Sequence, residues 1–173
     1  MGALSRDEIV ALLHALDREL RKDGVRGQAQ IAGGAVMCLA FNARSSTREV
    51  DAVFEPSSAV LDAALRVAAR TGVPDTWLNN AVRGYLSDTG TFERFLELDN
   101  LRVFVADARY MLAMKCLAMR VGEGYHDEED VRFPLRHLAV NSFDETAEIL
   151  SAYYPIGSFP ARSMGALKEI LAH

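Results

Sequence analysis

The chain has 173 residues, half of them hydrophobic, which suits one domain or one core with a helical appendage. Its formal net charge of -5 gives no overall positive field that would attract nucleic acid, although a local basic pocket stays compatible with this charge. Cys38 and Cys116 lie in apolar segments, which indicates buried free thiols in a reducing cytoplasm. With no signal peptide and no apolar run of about 18 residues, the sequence predicts a soluble, cytoplasmic protein without a membrane partner.

The first half of the chain alternates between helical and strand patterns. Ser5 and Glu8 have the spacing of a capping box, and the apolar residues after them recur at helical intervals. The predicted elements are, in chain order, a helix over residues 5–23, a strand over 29–32, a helix over 35–41, a strand that contains Glu49 and Asp51, and a helix from residues 56–58 to Gly72.

Two carboxylates lie close together in the second predicted strand. Glu49 and Asp51 are two residues apart, so in a strand both side chains point to the same face, while Val50 between them points to the other. Neighbouring carboxylates repel each other, and a divalent cation is the usual compensation. The pair therefore predicts a metal site.

Two glycines, Gly33 and Gly34, separate the first strand from the apolar helix that follows it. Glycine allows a close approach of the backbone, and free N–H groups at the start of a helix favour an anion such as phosphate. A phosphate-binding turn and a carboxylate pair, one helix apart, together suggest binding of a metal and a nucleotide.

These motifs resemble the DNA polymerase β-like nucleotidyltransferase superfamily, in which a Gly-Gly turn precedes an acidic-hydrophobic-acidic triplet by about fifteen residues. The segment RSSTREVD, residues 44–51, is similar to the version found in small bacterial proteins related to AbiEii-type toxins. The resemblance implies an α+β fold, with a nucleotidyltransferase-like mixed sheet flanked by helices. It also implies an α/β core over residues 1–106 and a helical C-terminal module, residues 107–173, packed on that core.

The middle of the chain predicts a short helix over residues 75–86 and a hairpin of two strands, 92–98 and 101–106. Trp77 is interpreted as a core anchor, although related proteins carry a similar Trp-Leu-Asn stretch that we expect near the rim of the active site. Glu97 and Asp99 are positional candidates for a third carboxylate. The alternative is that both are ordinary exposed carboxylates of the hairpin.

A strong helix over residues 107–120, capped by Asp107, contains Lys115 among apolar residues. A surface lysine with a buried stem is one interpretation. The other comes from the resemblance, because AbiEii-like proteins follow such a lysine helix with two spaced acidic residues. Asp127 and Asp130, twelve and fifteen residues after Lys115, match that pattern, with His126 in place of the usual arginine. Capping of the next helix is the alternative role of Asp127.

The C-terminal third predicts helices without a catalytic constellation. Pro134 either interrupts a helix or lies in its first turn, and Ser142 with Glu145 predicts a capping box for a helix to about Tyr153. A last helix is expected from Pro160 onward.

The resemblance implies transfer of a nucleoside monophosphate from a nucleoside triphosphate to RNA, a protein or a small molecule. Glu49 and Asp51 would hold Mg²⁺ or Mn²⁺, and Gly33 and Gly34 would take the triphosphate. Other implied contacts to the nucleotide come from Arg44, Ser46, Thr47 and Lys115, and Asp127 or Asp130 would orient the cation or activate the acceptor.

Two departures from the family pattern favour an alternative function. Ala35 stands where many transferases have a hydroxyl residue, and Glu49 replaces the usual first aspartate. Because Mg²⁺ demands near-ideal octahedral geometry, the longer Glu49 side chain weakens the expectation of turnover. The alternative is a catalytically degenerate module that binds a nucleotide or a cognate partner protein, such as half of a toxin–antitoxin pair.

Overall fold

The structure is a computed structural model that describes residues 2–122 and 127–173. Within these residues it contains seven α-helices, a mixed five-stranded sheet and a small antiparallel sheet, so the predicted α+β class is confirmed. The chain forms two compact units: the first runs to Gly84 and includes Phe92–Ala106, and the second comprises Tyr85–Thr91 and Asp107–His173. No helix in the described ranges is both long and apolar enough to cross a membrane.

The first unit contains the sheet. Its strands are β1 (Leu4–Ser5), β2 (Gly27–Ala32), β3 (Ser46–Thr47), β4 (Val50–Glu55), β5 (Leu78–Asn79), β6 (Phe92–Glu97) and β7 (Leu101–Ala106). Its helices are α1 (Arg6–Lys22), α2 (Gly34–Leu39) and α3 (Ser57–Thr71), and a 3₁₀ helix covers Ala81–Tyr85.

The main sheet has the strand order β5-β4-β2-β7-β6, with β2 antiparallel to β4 and parallel to β7. One face is apolar and buried; it includes Ala29, Ile31, Ala52, Phe54 and Val103. The alternate positions of the same strands are polar or only partly buried, among them Gln28, Gln30, Asp51, Val53 and Arg102. We call this second surface the polar face of the sheet.

Helices α1 and α3 cover the buried face. A Cβ atom on Gly27 would lie 2.9 Å from Leu20 of α1 and 3.1 Å from Val60 of α3, which shows how closely both helices approach β2. The predicted capping box is confirmed, since the Ser5 hydroxyl accepts from the Glu8 backbone and the Ser5 backbone N–H donates to the Glu8 carboxylate.

A buried carboxylate joins α1 and α3. Glu19 is only 3% exposed, and its oxygens lie 2.9 Å from Lys22 Nζ, 2.9 Å from Arg66 Nε and 2.7 Å from Arg70 Nη1. The hydrogen bond from Lys22, and next that from Arg66, lowers the pKa of the Glu19 carboxyl below its ordinary value, whereas burial acts to raise it.

Because the pKa of Glu19 is lower in the folded chain, its ionised form stabilises the fold above about pH 4.5, and this contribution is lost as the pH falls further. We expect Glu19→Gln to lower the unfolding free energy by about 1–2 kcal/mol at pH 7, since its partners are cations on the protein surface. The deficit should shrink toward pH 3. Urea unfolding across this pH range tests it, with the exposed Glu148→Gln as control. A deficit independent of pH would contradict the electrostatic cause.

The second unit is helical. Its helices are α4 (Ala108–Ala118), α5 (Asp127–His137), α6 (Phe143–Ser151) and α7 (Ala161–Ala172), and a 3₁₀ helix covers Ile156–Ser158. The predicted cap of α4 is confirmed, because the Asp107 carboxylate accepts from the Tyr110 backbone. Neither prediction for Pro134 holds, since it lies inside α5 beyond its first turn.

Tyr110 explains why residues 85–91 belong to this unit, whereas the sequence-based boundary places them in the first. The Tyr110 side chain is fully buried, its hydroxyl accepts from the Ser87 backbone at 2.7 Å, and its ring stacks on Tyr153 at 4.9 Å between centroids. A Cβ atom on Gly90 would lie 2.4 Å from the Tyr110 ring, so only glycine fits there. Residues 85–91 are thus fixed to α4 and α6.

Candidate functional site

The Gly33-Gly34 turn follows β2 directly and lies against the side chain of Asp51. Gly33 has φ 70° and ψ -152°, a conformation that residues with a Cβ atom rarely adopt. A Cβ atom at this position would lie 3.1 Å from Asp51 Oδ2. Ala32 is paired with Asp51 in the antiparallel β2–β4 ladder, which sets this proximity. The structure therefore brings the glycine turn and one of the predicted carboxylates together.

Gly34 is surrounded by two other residues of the RSSTREVD segment. A Cβ atom on Gly34 would lie 2.8 Å from Arg44 Nη1 and 3.0 Å from Thr47 Oγ1. Ser46, also a candidate for nucleotide binding, is partly buried in β3 and pairs with Ser5 of β1. The small antiparallel sheet thus holds the segment beside the turn, and a cation and a hydroxyl of this segment approach Gly34.

The two carboxylates of the predicted metal pair differ in their surroundings. Asp51 lies on the polar face of β4, between the buried residues Val50 and Ala52, as the alternation predicts. The predicted position of Glu49 in the same strand as Asp51 is wrong. Glu49 precedes β4, and its side chain is exposed. Its carbonyl accepts a hydrogen bond from the Thr47 hydroxyl at 3.2 Å. Glu49 therefore lacks the support that a strand pairing gives Asp51.

Part of the segment predicted as a helix belongs to the sheet. Within residues 75–86 the structure has β5, which is parallel to β4 and aligns Asn79 with Asp51, followed by the 3₁₀ helix Ala81–Tyr85. Trp77 is fully buried and donates from Nε1 to the Ala64 carbonyl at 3.0 Å, so its interpretation as a core anchor is confirmed. A two-residue strand has no periodicity that the sequence could reveal.

Glu97 and Asp99 do not provide a third carboxylate next to Asp51. They lie at the β6–β7 turn, which adjoins the start of β2, whereas Asp51 lies beside the end of β2. Six strand residues separate these ends, about 17–20 Å. Glu97 pairs with Arg94 and Arg102, and Asp99 pairs with Arg21, so the interpretation as surface carboxylates is the correct one.

Lys115, Asp127 and Asp130 all belong to the second unit. Lys115 Nζ donates to Asp130 Oδ2 at 2.8 Å, with side chains 20% and 15% exposed. The Lys115 stem is thus largely buried, and its ammonium is paired with Asp130. The roles that the resemblance implies for these three residues toward a nucleotide stay predictions.

Asp127 is engaged by Arg120. Its carboxylate accepts from the Arg120 backbone N–H at 2.8 Å, from Nε at 2.9 Å and from Nη2 at 3.1 Å. The side-chain hydrogen bond from Arg120 is the main cause that lowers the pKa of Asp127, so this group stays ionised at neutral pH. An ionised carboxylate held in this way links α4 to the start of α5. His126 lies outside the described residues.

The Lys115–Asp130 ion pair gives a testable coupling. In a double-mutant cycle of Lys115→Met and Asp130→Asn, we expect the pair to contribute about 1–2 kcal/mol to the unfolding free energy, because both side chains are largely buried. The Arg132–Glu129 pair, 33% and 71% exposed, is the matched control on the same helix and should couple by less than about 0.5 kcal/mol. Equal coupling in both pairs would show that burial does not matter here.

The donor set for a metal is limited. Across residues 2–122 and 127–173, no group of three or more His, Cys, Asp or Glu side chains is placed to hold an ion. Burial raises the pKa of the Cys116 thiol to about 12 and also raises that of Cys38, so both prefer the neutral form. Mg²⁺ is usually bound through one or two carboxylates together with water and substrate phosphates, so Asp51 and Glu49 are an acceptable set of oxygen donors.

Comparison of the chain with protein-family models, with curated proteins and with solved structures gives no match in any of the three. The functional interpretation therefore depends on the residues and on their arrangement.

Proposed function

We propose that the protein is a metal-dependent nucleotidyltransferase that moves a nucleoside monophosphate from a nucleoside triphosphate to an acceptor hydroxyl. The observation that carries the proposal is the convergence of Asp51, Arg44 and Thr47 on the Gly33-Gly34 turn. A carboxylate, a guanidinium and a hydroxyl close to a partly exposed backbone turn are groups that can bind a metal-bound triphosphate.

Each group has a distinct role. The turn lacks Cβ atoms, which allows phosphate oxygens to approach the backbone N–H groups. Arg44 compensates phosphate charge, and the Thr47 hydroxyl, which donates to the Glu49 carbonyl in the structure, turns to donate to a phosphate oxygen instead. Asp51, with Glu49, would hold Mg²⁺ or Mn²⁺, and the cation would stabilise the charge that develops on the phosphates. The acceptor oxygen would form a bond to the α-phosphorus as the bond to the β-phosphate oxygen breaks; the hydroxyl proton would pass to water, and pyrophosphate would leave.

The direct test uses each nucleoside triphosphate labelled at the α-phosphate, with Mg²⁺ or Mn²⁺, and with total RNA and a cell extract as acceptors. We expect label transfer by the wild type and its loss in Asp51→Asn. RNase and protease treatment of the labelled product distinguishes an RNA from a protein acceptor. The absence of both transfer and nucleotide binding would overturn the proposal.

A second candidate is a degenerate module that binds a nucleotide, or a cognate partner protein, without turnover. The position of Glu49 favours it, because a ligand on an exposed segment before β4 costs more conformational entropy to fix than one within the strand. Ala35 also offers no hydroxyl to the phosphates. Nucleotide-dependent thermal stabilisation without any label transfer would favour this candidate over the enzyme.

A further inference from the structure

One buried polar atom of β5, on the residue aligned with Asp51, has no hydrogen-bond partner among the described residues. Asn79 is partly buried in β5, and its Nδ2 atom, although buried, makes no hydrogen bond to any described residue. A buried donor without an acceptor is destabilising, so proteins rarely retain one without a reason.

The orientation of the Asn79 side chain is fixed by its other end. Oδ1 accepts from the Ala81 backbone N–H at 3.0 Å, which identifies it as the oxygen, because the nitrogen could not accept this bond. Asn79 is also the residue of β5 that aligns with Asp51 of β4, and paired residues of neighbouring strands point to the same face. The unpaired amide donor thus belongs to the residue that is aligned with Asp51 on the same face of the sheet.

We propose that Asn79 is a positioning residue that donates from Nδ2 to the Asp51 carboxylate when Asp51 binds a divalent cation. This inference rests on the proposed function. Neighbouring strands are about 4.8 Å apart, so a rotation of the carboxylate brings one of its oxygens within hydrogen-bonding distance of the amide. The bond would fix one oxygen and direct the other toward the cation, and carboxylates that bind metals are generally held in this way.

The test is a titration of the full chain with Mn²⁺, in which the spectroscopic signal of the free ion measures how much of it is unbound. Asn79→Ser is the informative variant, because its hydroxyl can still accept from the Ala81 N–H while the amide donor is lost. We expect Asn79→Ser and Asn79→Ala to weaken Mn²⁺ binding by about 10- to 100-fold. Asn80→Ala, which changes the exposed neighbour, should bind as the wild type does.

Two further measurements separate positioning from a structural role. In an Asp51→Asn background, Asn79→Ser should cause no further loss of Mn²⁺ affinity, because the group on which it acts is already changed. In the wild type, Mg²⁺ should shift the NMR signals of the Asn79 side-chain amide. A melting temperature of Asn79→Ser close to that of the wild type would show that the turn is intact.

The outcomes distinguish this inference from the proposed function. If the wild type binds Mn²⁺ through Asp51 and Asn79→Ser binds it equally well, Asn79 has no positioning role, while the metal site stands. If Asp51→Asn binds Mn²⁺ as tightly as the wild type, or the wild type does not bind it, the metal site of the proposed function is wrong, and the role of Asn79 fails with it.

Discussion

Asp51→Asn is expected to remove most of the thermal stabilisation that a nucleotide with Mg²⁺ gives the wild-type protein. At a hundredfold excess over the dissociation constant, binding to the folded state alone stabilises it by about 2.7 kcal/mol. For a chain of this size the melting temperature then rises by roughly 5–10 °C. The variant loses this rise because the cation loses an anionic ligand that β4 holds in place.

Without ligand, the same substitution should leave the protein as stable as the wild type or slightly more stable. Asp51 is two residues from a second carboxylate, Glu49, and removing one of two like charges should relieve repulsion. Thermal melts of both proteins, with and without each nucleotide and Mg²⁺ or Mn²⁺, measure both effects. Asp62→Asn, which changes the charge equally at an exposed position of α3, is the control and should keep the full rise.

Two results would contradict this account of Asp51. If Asp51→Asn is markedly destabilised without ligand, its carboxylate has a structural role in the β2–β4 ladder. If the nucleotide raises the melting temperature of both proteins equally, the nucleotide binds without Asp51, and the metal site must be assigned elsewhere.

Local patterns in the sequence predicted most of the first unit. The Ser5–Glu8 capping box depends on residues three apart, and the burial of Val50 and Ala52 on either side of Asp51 follows from the alternation of a strand. These interactions are determined by neighbours in the chain, so a single sequence contains the information needed to predict them.

The errors and the alternatives that the sequence leaves open concern positions that distant residues determine. Asn79 belongs to a strand because it pairs with β4 and because Trp77 is anchored on α3, which no pattern in residues 75–86 reveals. The distance of Glu97 from Asp51 depends on the direction of the neighbouring strands. Lys115 meets Asp130 across the connection between two helices. Such contacts require the tertiary structure.

Alanine substitutions at three glycines should separate backbone strain from effects on the site. Gly33→Ala places a Cβ atom where φ is 70° and ψ -152°, and 3.1 Å from Asp51 Oδ2, so we expect it to lose about 1–3 kcal/mol of stability and more than tenfold in nucleotide affinity. Gly24→Ala also has a positive φ, but its Cβ would meet nothing within 4 Å. It should lose about 1 kcal/mol and keep its affinity.

Gly34→Ala should show the opposite of Gly24→Ala, because it should lose nucleotide affinity rather than stability. Gly34 lies in α2 without a positive φ, and its Cβ atom would displace the end of the Arg44 side chain and approach the Thr47 hydroxyl. Because this substitution adds no backbone strain, the urea midpoint should change less than in Gly33→Ala, whereas the displaced guanidinium removes a phosphate-binding group and the affinity should fall. Urea unfolding and nucleotide titration of the three variants measure both quantities. If Gly34→Ala binds nucleotide as the wild type does, Arg44 and the Gly33-Gly34 turn do not form the phosphate site, because the added Cβ atom displaces the guanidinium from its place beside the turn.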